Sequence, residues 1–144
     1  MVVLRPFYNH YIKLPPKGQT SLEIRNNPKL YPFFKDCQGA IDKTYIDVFV
    51  PKDAVVRYHN CKGGLSQNVL AVCIFNLQFS CVFPDWEGSA TDGSVFDNAC
   101  QESLAISPSI YLLANAGFLT CDALMILYKR DQYHLKEWGT APQK

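Results

Sequence analysis

The pattern of hydrophobic and polar positions predicts three strands in the first half of the chain. Residues 39–50 (GAIDKTYIDVFV) are rich in β-branched and aromatic side chains and end at Pro51, which is typical of a strand. Residues 66–75 (SQNVLAVCIF) predict a second strand that is mostly buried, and residues 77–83 (LQFSCVF) predict a third. The last two segments flank Asn76 and therefore indicate a hairpin.

The second half of the chain alternates helical and strand patterns. Thr91 or Asp92 is suited to cap a helix over residues 95–104 (VFDNACQESL), because either side chain can accept hydrogen bonds from the first turn. Residues 109–114 (SIYLLA) predict a fourth strand, and residues 121–130 (CDALMILYKR) predict a helix. The order β-β-β-α-β-α predicts an α/β fold with a mixed sheet.

Prolines interrupt the first 36 residues repeatedly, and this sets them apart from the rest. They are Pro6, Pro15, Pro16, Pro28 and Pro32. A short helix capped by Thr20 or Ser21 is predicted between them. We therefore expect residues 1–36 to precede a domain that begins at residue 37 and includes the rest of the chain to residue 144.

Composition excludes several classes of protein. The chain has 144 residues, of which 48% are hydrophobic and 19% charged, and this is typical of one soluble globular domain. It has no apolar run of about 18 residues and no signal-peptide pattern, so we expect an intracellular protein without a membrane span. The formal net charge of +1 provides no basic field that would by itself indicate nucleic acid.

The six cysteines match no zinc-binding spacing, and no two form a C-x-x-C pair. They are Cys37, Cys61, Cys73, Cys81, Cys100 and Cys121. Because disulfide frameworks belong mainly to secreted proteins, we expect six reduced thiols.

Asp42 is the first candidate for chemistry, because an acid in the middle of an apolar strand is costly unless it is paired or bound. The alternative is an aspartate on a solvent face. Asn115 follows the fourth strand, and sites in open α/β sheets gather at the carboxyl ends of strands, so we expect the two residues to be neighbours. Two carboxylates there could bind Mg²⁺ or Mn²⁺, but asparagine brings no negative charge.

Three other residues are weaker candidates. Asp92 is one of them, and a good helix cap is a strong alternative explanation for it. Arg57 and Lys62 lie in the segment RYHNCKGGLSQN, whose glycines and cations could contact phosphate. A solvated hairpin turn is the alternative explanation for that segment.

Five stretches, taken together, resemble a known family. They are NNPKLYPFFKDCQGAID, RYHNCKGGLSQNVLAVC, FPDWEGSATDGSVF, YLLANAGF and YHLKEWG. The chain resembles the nuclease domain of Harbinger-type transposases, the DDE superfamily endonucleases, particularly their fungal copies. The resemblance implies a nuclear protein with an RNase H-like fold, here truncated at the C-terminal helices. It also implies three acids that bind divalent metal for the cleavage of DNA.

The family's functional residues carry over only in part. Its first acid corresponds to Asp42, and its second corresponds to Asn115 in this sequence. Its third acid, a glutamate on a later helix, is expected beyond Lys144, and Glu137 is not assigned to that role. Asp92 matches a recurrent aspartate, which we interpret as shaping the site.

Other departures from the family pattern also indicate an impaired nuclease. Lys43, Thr44 and Tyr45 follow the first acid where the family usually has Gly-Thr-His, and Cys61 replaces an arginine. The family's upstream helix-turn-helix region is not expected here, because Met1 falls inside the segment before the catalytic domain. The first hypothesis is therefore an impaired metal-dependent nuclease with weakly bound Mg²⁺ or Mn²⁺ and weak or absent DNA binding. The second is a non-catalytic transposon remnant or interaction module.

Overall fold

A computed structural model describes residues 19–102 and 104–126 of the chain. Its elements in chain order are α1 (Leu22–Arg25), β1 (Cys37–Asp47), α2 (Val55–Tyr58), β2 (Ser66–Cys73), β3 (Phe79–Glu87), α3 (Asp92–Glu102), β4 (Tyr111–Ala114) and β5 (Leu124–Ile126). The four predicted strands and the helix after β3 are all present, and the α/β class is confirmed. Ser21 caps α1 as predicted, accepting a hydrogen bond from the backbone N–H of Ile24 at 3.4 Å.

The strands form one five-stranded mixed sheet in the order β3-β2-β1-β4-β5. The pairs β1–β2 and β2–β3 are antiparallel, and the pairs β1–β4 and β4–β5 are parallel. The predicted mixed sheet is therefore confirmed, with β1 at its centre. Since β1 is longer than β4, the second half of β1 continues past the end of its parallel neighbour.

The two faces of the sheet differ in what covers them. On one face, α3 packs Val95, Phe96 and Ala99 into a core with Ile41 and other buried side chains of the strands. On the other face, two adjoining apolar grooves of about 420 and 520 Å³ share Ala40 and Asp42 in their walls. Residues alternate between faces along a strand, so Ile41 enters the core while Asp42 stays exposed on the other side.

The end of the third strand differs most from its sequence prediction, and the other predicted bounds of these elements shift by at most three residues. The third strand was expected to end at residue 83, but β3 continues through Pro84 to Glu87. The pairing with β2 shifts between Phe83 and Trp86, and Asp85 there adopts a φ of 73°. A bulge explains the continuation, because proline is tolerated where the ladder of hydrogen bonds is already interrupted.

The helix predicted over residues 121–130 is wrong for its described part. Leu124–Ile126 form β5, which pairs with β4 in parallel, and residues 127–130 lie outside the described residues. A short apolar run does not by itself distinguish a buried strand from a helix. Pairing with the free edge of β4 satisfies the backbone here, and the side chain of Leu124 enters the core.

Two predicted absences concern the described residues. No helix within residues 19–102 and 104–126 combines the length and apolar character needed to cross a membrane. All six cysteines lie within these ranges, and none is paired in a disulfide there.

Candidate active site

Asp42 and Asn115 lie side by side, although 73 positions separate them in the chain. The parallel register pairs Ile41 with Ala114, so the next position on each strand falls beside the other. The side-chain nitrogen Nδ2 of Asn115 donates a hydrogen bond to Oδ1 of Asp42 at 2.7 Å. The carboxyl end of β4 thus delivers a polar side chain to the middle of β1, as the topological argument predicts.

The orientation of the Asn115 amide follows from a second contact. The backbone N–H of Gly117 donates to Oδ1 of Asn115 at 2.7 Å, which leaves the NH₂ group facing Asp42. The backbone N–H of Lys43 also donates to Oδ1 of Asp42, at 2.8 Å. Two N–H groups therefore converge on one oxygen of the carboxylate.

Asp92 reaches the same region from the other side of β1. Its Oδ1 forms an ion pair with Nζ of Lys43 at 2.6 Å, and the two side chains are only 21% and 8% exposed. Thr91 is the N-cap of α3, because its hydroxyl accepts the backbone N–H of Ser94 at 3.2 Å. Asp92 is consequently not needed as the cap, and its carboxylate is committed to Lys43.

Gly117 connects the Asp92 pair to the Asp42 pair. A Cβ atom at position 117 would collide with Oδ2 of Asp92 and with the side-chain oxygen of Asn115. Only glycine allows this close approach of the loop to both side chains. The carboxylate of Asp92 therefore lies directly against the loop that carries Asn115.

Tyr45 brings Lys62 towards the same end of β1. The Nζ atoms of Lys43 and Lys62 each lie 5.5 Å from the centre of the Tyr45 ring. The Tyr45 hydroxyl shares a hydrogen bond of 3.2 Å with the Cys61 thiol. That hydrogen bond, followed by burial and the charges of Cys61 and Asp92, raises the pKa of Tyr45 to about 12.

The turn that carries Lys62 is organised by Asn60. The side-chain oxygen of Asn60 accepts the backbone N–H groups of Lys62 and Gly64, at 2.9 and 3.0 Å. Arg57, by contrast, forms an exposed ion pair of 3.4 Å with Glu87 at the end of β3. Of the two candidate cations from the sequence, Lys62 thus lies against Tyr45, whereas Arg57 lies in α2 and pairs with Glu87.

Comparison with known proteins identifies the family. The model of one family, described as DDE superfamily endonuclease, matches residues 41–141. The chain belongs to the DDE superfamily endonucleases. Comparison with curated proteins and with solved structures gave no significant match. The matched region begins one residue before Asp42 and includes both Asp92 and Asn115.

DDE superfamily endonucleases generally use divalent metal ions, and the described residues of this chain supply only part of a ligand set for one. Within residues 19–102 and 104–126, no group of three or more His, Cys, Asp or Glu side chains could hold a metal. Asp42 already accepts two N–H groups, and the Asn115 amide turns its donor side to the carboxylate. A hard cation shared by Asp42 and Asn115 would have to replace the hydrogen bond between them and would gain one charged ligand only.

Sequence reasoning missed the connecting residues of this DDE endonuclease site. Lys43 was noted only as a departure from the family pattern, although its alternation with Ile41 along β1 could have placed it on the α3 side. Asn68 is fully buried and holds the segment before Asp92, and no local pattern signals that role. Glu137 lies outside the described residues.

Proposed function

We propose that this chain is a transposase-derived DDE endonuclease domain in which metal-dependent cleavage of DNA phosphodiesters is impaired. The hydrogen bond from Asn115 to Asp42 carries the proposal, because a neutral amide stands where the resemblance expects the second acid. The family match over residues 41–141 supports the nuclease ancestry. The longer sequence resemblance supports a Harbinger-type, fungal-like origin and a nuclear location.

The proposed fold within the α/β class is RNase H-like. Supporting it, three antiparallel strands are followed by α3 and by a fourth strand that returns parallel to the first. We further propose that residues 1–36 form a segment before the catalytic region and that the endonuclease domain begins at residue 37. Of the first segment, Ile24 is buried and Thr20 donates to the backbone oxygen of Lys35 at 2.9 Å.

The proposed roles at the site follow from charge. Asp42 is the metal ligand, Asn115 is a neutral ligand position, and Asp92 shapes the site through Lys43 and Gly117. Mg²⁺ or Mn²⁺ would bind weakly, because one carboxylate attracts a divalent cation far less than two or three do.

DNA binding is proposed to be weak as well. Lys62 and Arg57 are the candidate phosphate contacts, and the formal net charge of the chain is only +1. The charge of Arg57 is also partly neutralised by Glu87, 3.4 Å away. Phosphate contacts dominate the affinity of proteins for DNA, so two candidate contacts, one of them already ion-paired, imply weak binding that salt abolishes.

A nicking assay tests the proposal. Supercoiled plasmid is incubated with Mn²⁺ or Mg²⁺ and with the native chain, Asn115→Asp, or Asp42→Ala as the inactive control. We expect Asn115→Asp to nick above the Asp42→Ala level and the native chain to nick little. If neither the native chain nor Asn115→Asp exceeds Asp42→Ala, the nuclease proposal is wrong.

The second candidate is a non-catalytic remnant or interaction module. It is favoured because the polar side chains of the site pair with one another: Asn115 donates a hydrogen bond to Asp42, and Lys43 neutralises Asp92. Such a site needs no metal to hold its shape. Titration of the native chain with Mn²⁺ separates the two candidates, because measurable binding that Asp42→Ala abolishes would contradict a module without a metal site.

A further inference from the structure

Two side chains of neighbouring strands hold the segment that precedes α3. Asn68, on β2, donates through Nδ2 to the backbone oxygens of Glu87, Gly88 and Ala90, at 2.8, 3.3 and 3.3 Å. Lys43, on β1, donates through Nζ to the same Ala90 oxygen at 2.8 Å. The two side chains therefore converge on one carbonyl, two residues before Asp92.

The burial of Asn68 shows what this residue contributes. Its side chain is fully buried, and its Oδ1 is the single buried side-chain polar atom without a hydrogen-bond partner among residues 19–102 and 104–126. A buried acceptor without a partner destabilises the fold, and an apolar side chain would avoid that cost. The contacts of Nδ2 with the segment before α3 are the favourable part of having asparagine there.

The segment held in this way delivers Asp92 to the loop after β4. Lys43 contacts Ala90 and Asp92 with the same ammonium group, so the backbone and the carboxylate are positioned together. The other oxygen of Asp92 lies against Gly117, whose N–H in turn holds the side-chain oxygen of Asn115. A continuous set of contacts thus leads from the α3 side of β1 to the hydrogen bond at Asp42.

We propose that Lys43 and Asn68 are positioning residues of the Asp42 site. They hold the backbone of residues 87–90, keep Asp92 against Gly117 and so direct the side chain of Asn115 at Asp42. The inference rests on the proposed function in treating Asp42 as the centre of the site. The same contacts would direct a carboxylate at position 115 towards Asp42, so both residues would control how tightly Asn115→Asp binds Mn²⁺.

Hydrogen exchange of the Asn115 side-chain amide reports this positioning without metal or DNA. In the ¹⁵N-labelled full chain, the Asn115 NH₂ signals are assigned by their loss in Asn115→Asp. We expect Lys43→Met and Asn68→Leu to speed the exchange of this amide with water at least tenfold, and Lys43→Arg to keep it slow. Lys62→Met is the matched control, because Lys62 lies as close to the Tyr45 ring as Lys43 does. We expect Lys62→Met to leave the exchange rate of the Asn115 amide unchanged.

A second variant keeps the test decisive if Lys43→Met does not fold. Asp92→Asn removes the charge partner of Lys43 and leaves the Thr91 cap of α3 in place. Faster exchange of the Asn115 amide in Asp92→Asn, with an unchanged far-UV spectrum, supports the proposal. Unchanged exchange in Asp92→Asn or in folded Lys43→Met overturns it.

Mn²⁺ binding by Asn115→Asp provides a separate readout. We expect Lys43→Met in that background to weaken Mn²⁺ binding at least fivefold, while Lys43→Arg retains it. If Asn115→Asp binds no Mn²⁺ at all, the proposed nuclease function fails, and the exchange of the native Asn115 amide still decides the positioning role.

Discussion

Asn115 donates its side-chain amide to the Asp42 carboxylate across 2.7 Å, at the point where β4 ends beside β1. A carboxylate at position 115 would repel Asp42 unless a cation lay between them, whereas the amide attracts it. The native pair is thus stable without metal, and this property leads directly to the first prediction.

Asn115→Asp should destabilise the chain in the absence of metal and make its stability depend on Mn²⁺. The variant exchanges a charge-assisted hydrogen bond for two adjacent carboxylates, so we expect the free energy of unfolding to fall by about 1–3 kcal/mol in EDTA. Binding of Mn²⁺ to the folded state should restore part of it. Urea unfolding with EDTA and with Mn²⁺ measures both effects. Asn98→Asp, at a half-buried position of α3, should show no Mn²⁺ dependence.

Tyr45 should ionise at unusually high pH. Its pKa rises from 10.0 to about 12, chiefly through the hydrogen bond with Cys61. Because the folded pKa is the higher one, the stabilisation is complete below pH 10 and is lost as the pH rises through about 12. The difference in tyrosinate absorbance between the native chain and Tyr45→Phe should have its midpoint near 12. In Cys61→Ala the midpoint should move towards 10. An unchanged midpoint would contradict the hydrogen bond with Cys61 as the main cause of the raised pKa.

Leu77→Gly should stabilise the hairpin between β2 and β3. Leu77 has a φ of 64° and its side chain is 85% exposed, so it bears backbone strain without packing in return. Glycine adopts this conformation freely, and we expect a gain of about 0.5–1 kcal/mol in the free energy of unfolding. Thermal unfolding provides the measurement. Leu77→Ala retains a Cβ, so its free energy of unfolding should rise much less. An equal rise would mean that the effect comes from removing an exposed hydrophobic side chain and not from backbone strain.

Leu70→Ala should be strongly destabilising. Leu70 is fully buried on β2 in the core against α3, and truncation leaves a cavity there. We expect a loss of about 2–5 kcal/mol in the free energy of unfolding. Leu22→Ala is the control, because Leu22 is 64% exposed on α1 and should lose under about 1 kcal/mol. Similar losses for both variants would contradict the described core.

Two buried and two exposed cysteines should differ in their reactivity towards iodoacetamide. Burial raises the pKa of the Cys37 and Cys81 thiols, and the thiolate is the reacting form. We expect them to react at least about tenfold more slowly than the exposed Cys61 and Cys121, as measured by peptide mass spectrometry. In denaturant the difference should disappear. Fast labelling of Cys37 in the folded chain would contradict the burial of this residue at the start of β1.

The sequence predicted most of the sheet because the relevant signals are local. Residues 39–50 and 66–75 carry β-branched side chains in runs that favour strands wherever they are placed. Residues 121–126 carry no comparable local signal, since a short apolar run suits either a strand or a helix. The pairing of Leu124 with Leu112 decided between them, and that pairing is a tertiary contact.

The candidate site divides in the same way. The sequence by itself determined that Asp42 and Asn115 would be neighbours, because the rule on carboxyl ends of strands needs only the order of the elements. Only the tertiary structure decided that the amide faces the carboxylate, since that orientation depends on the Gly117 N–H. It also decided the roles of Lys43 and Asn68, whose contacts with Ala90 span 47 and 22 positions. Contacts over such separations depend on how the strands and the segment before α3 pack, which no local pattern encodes.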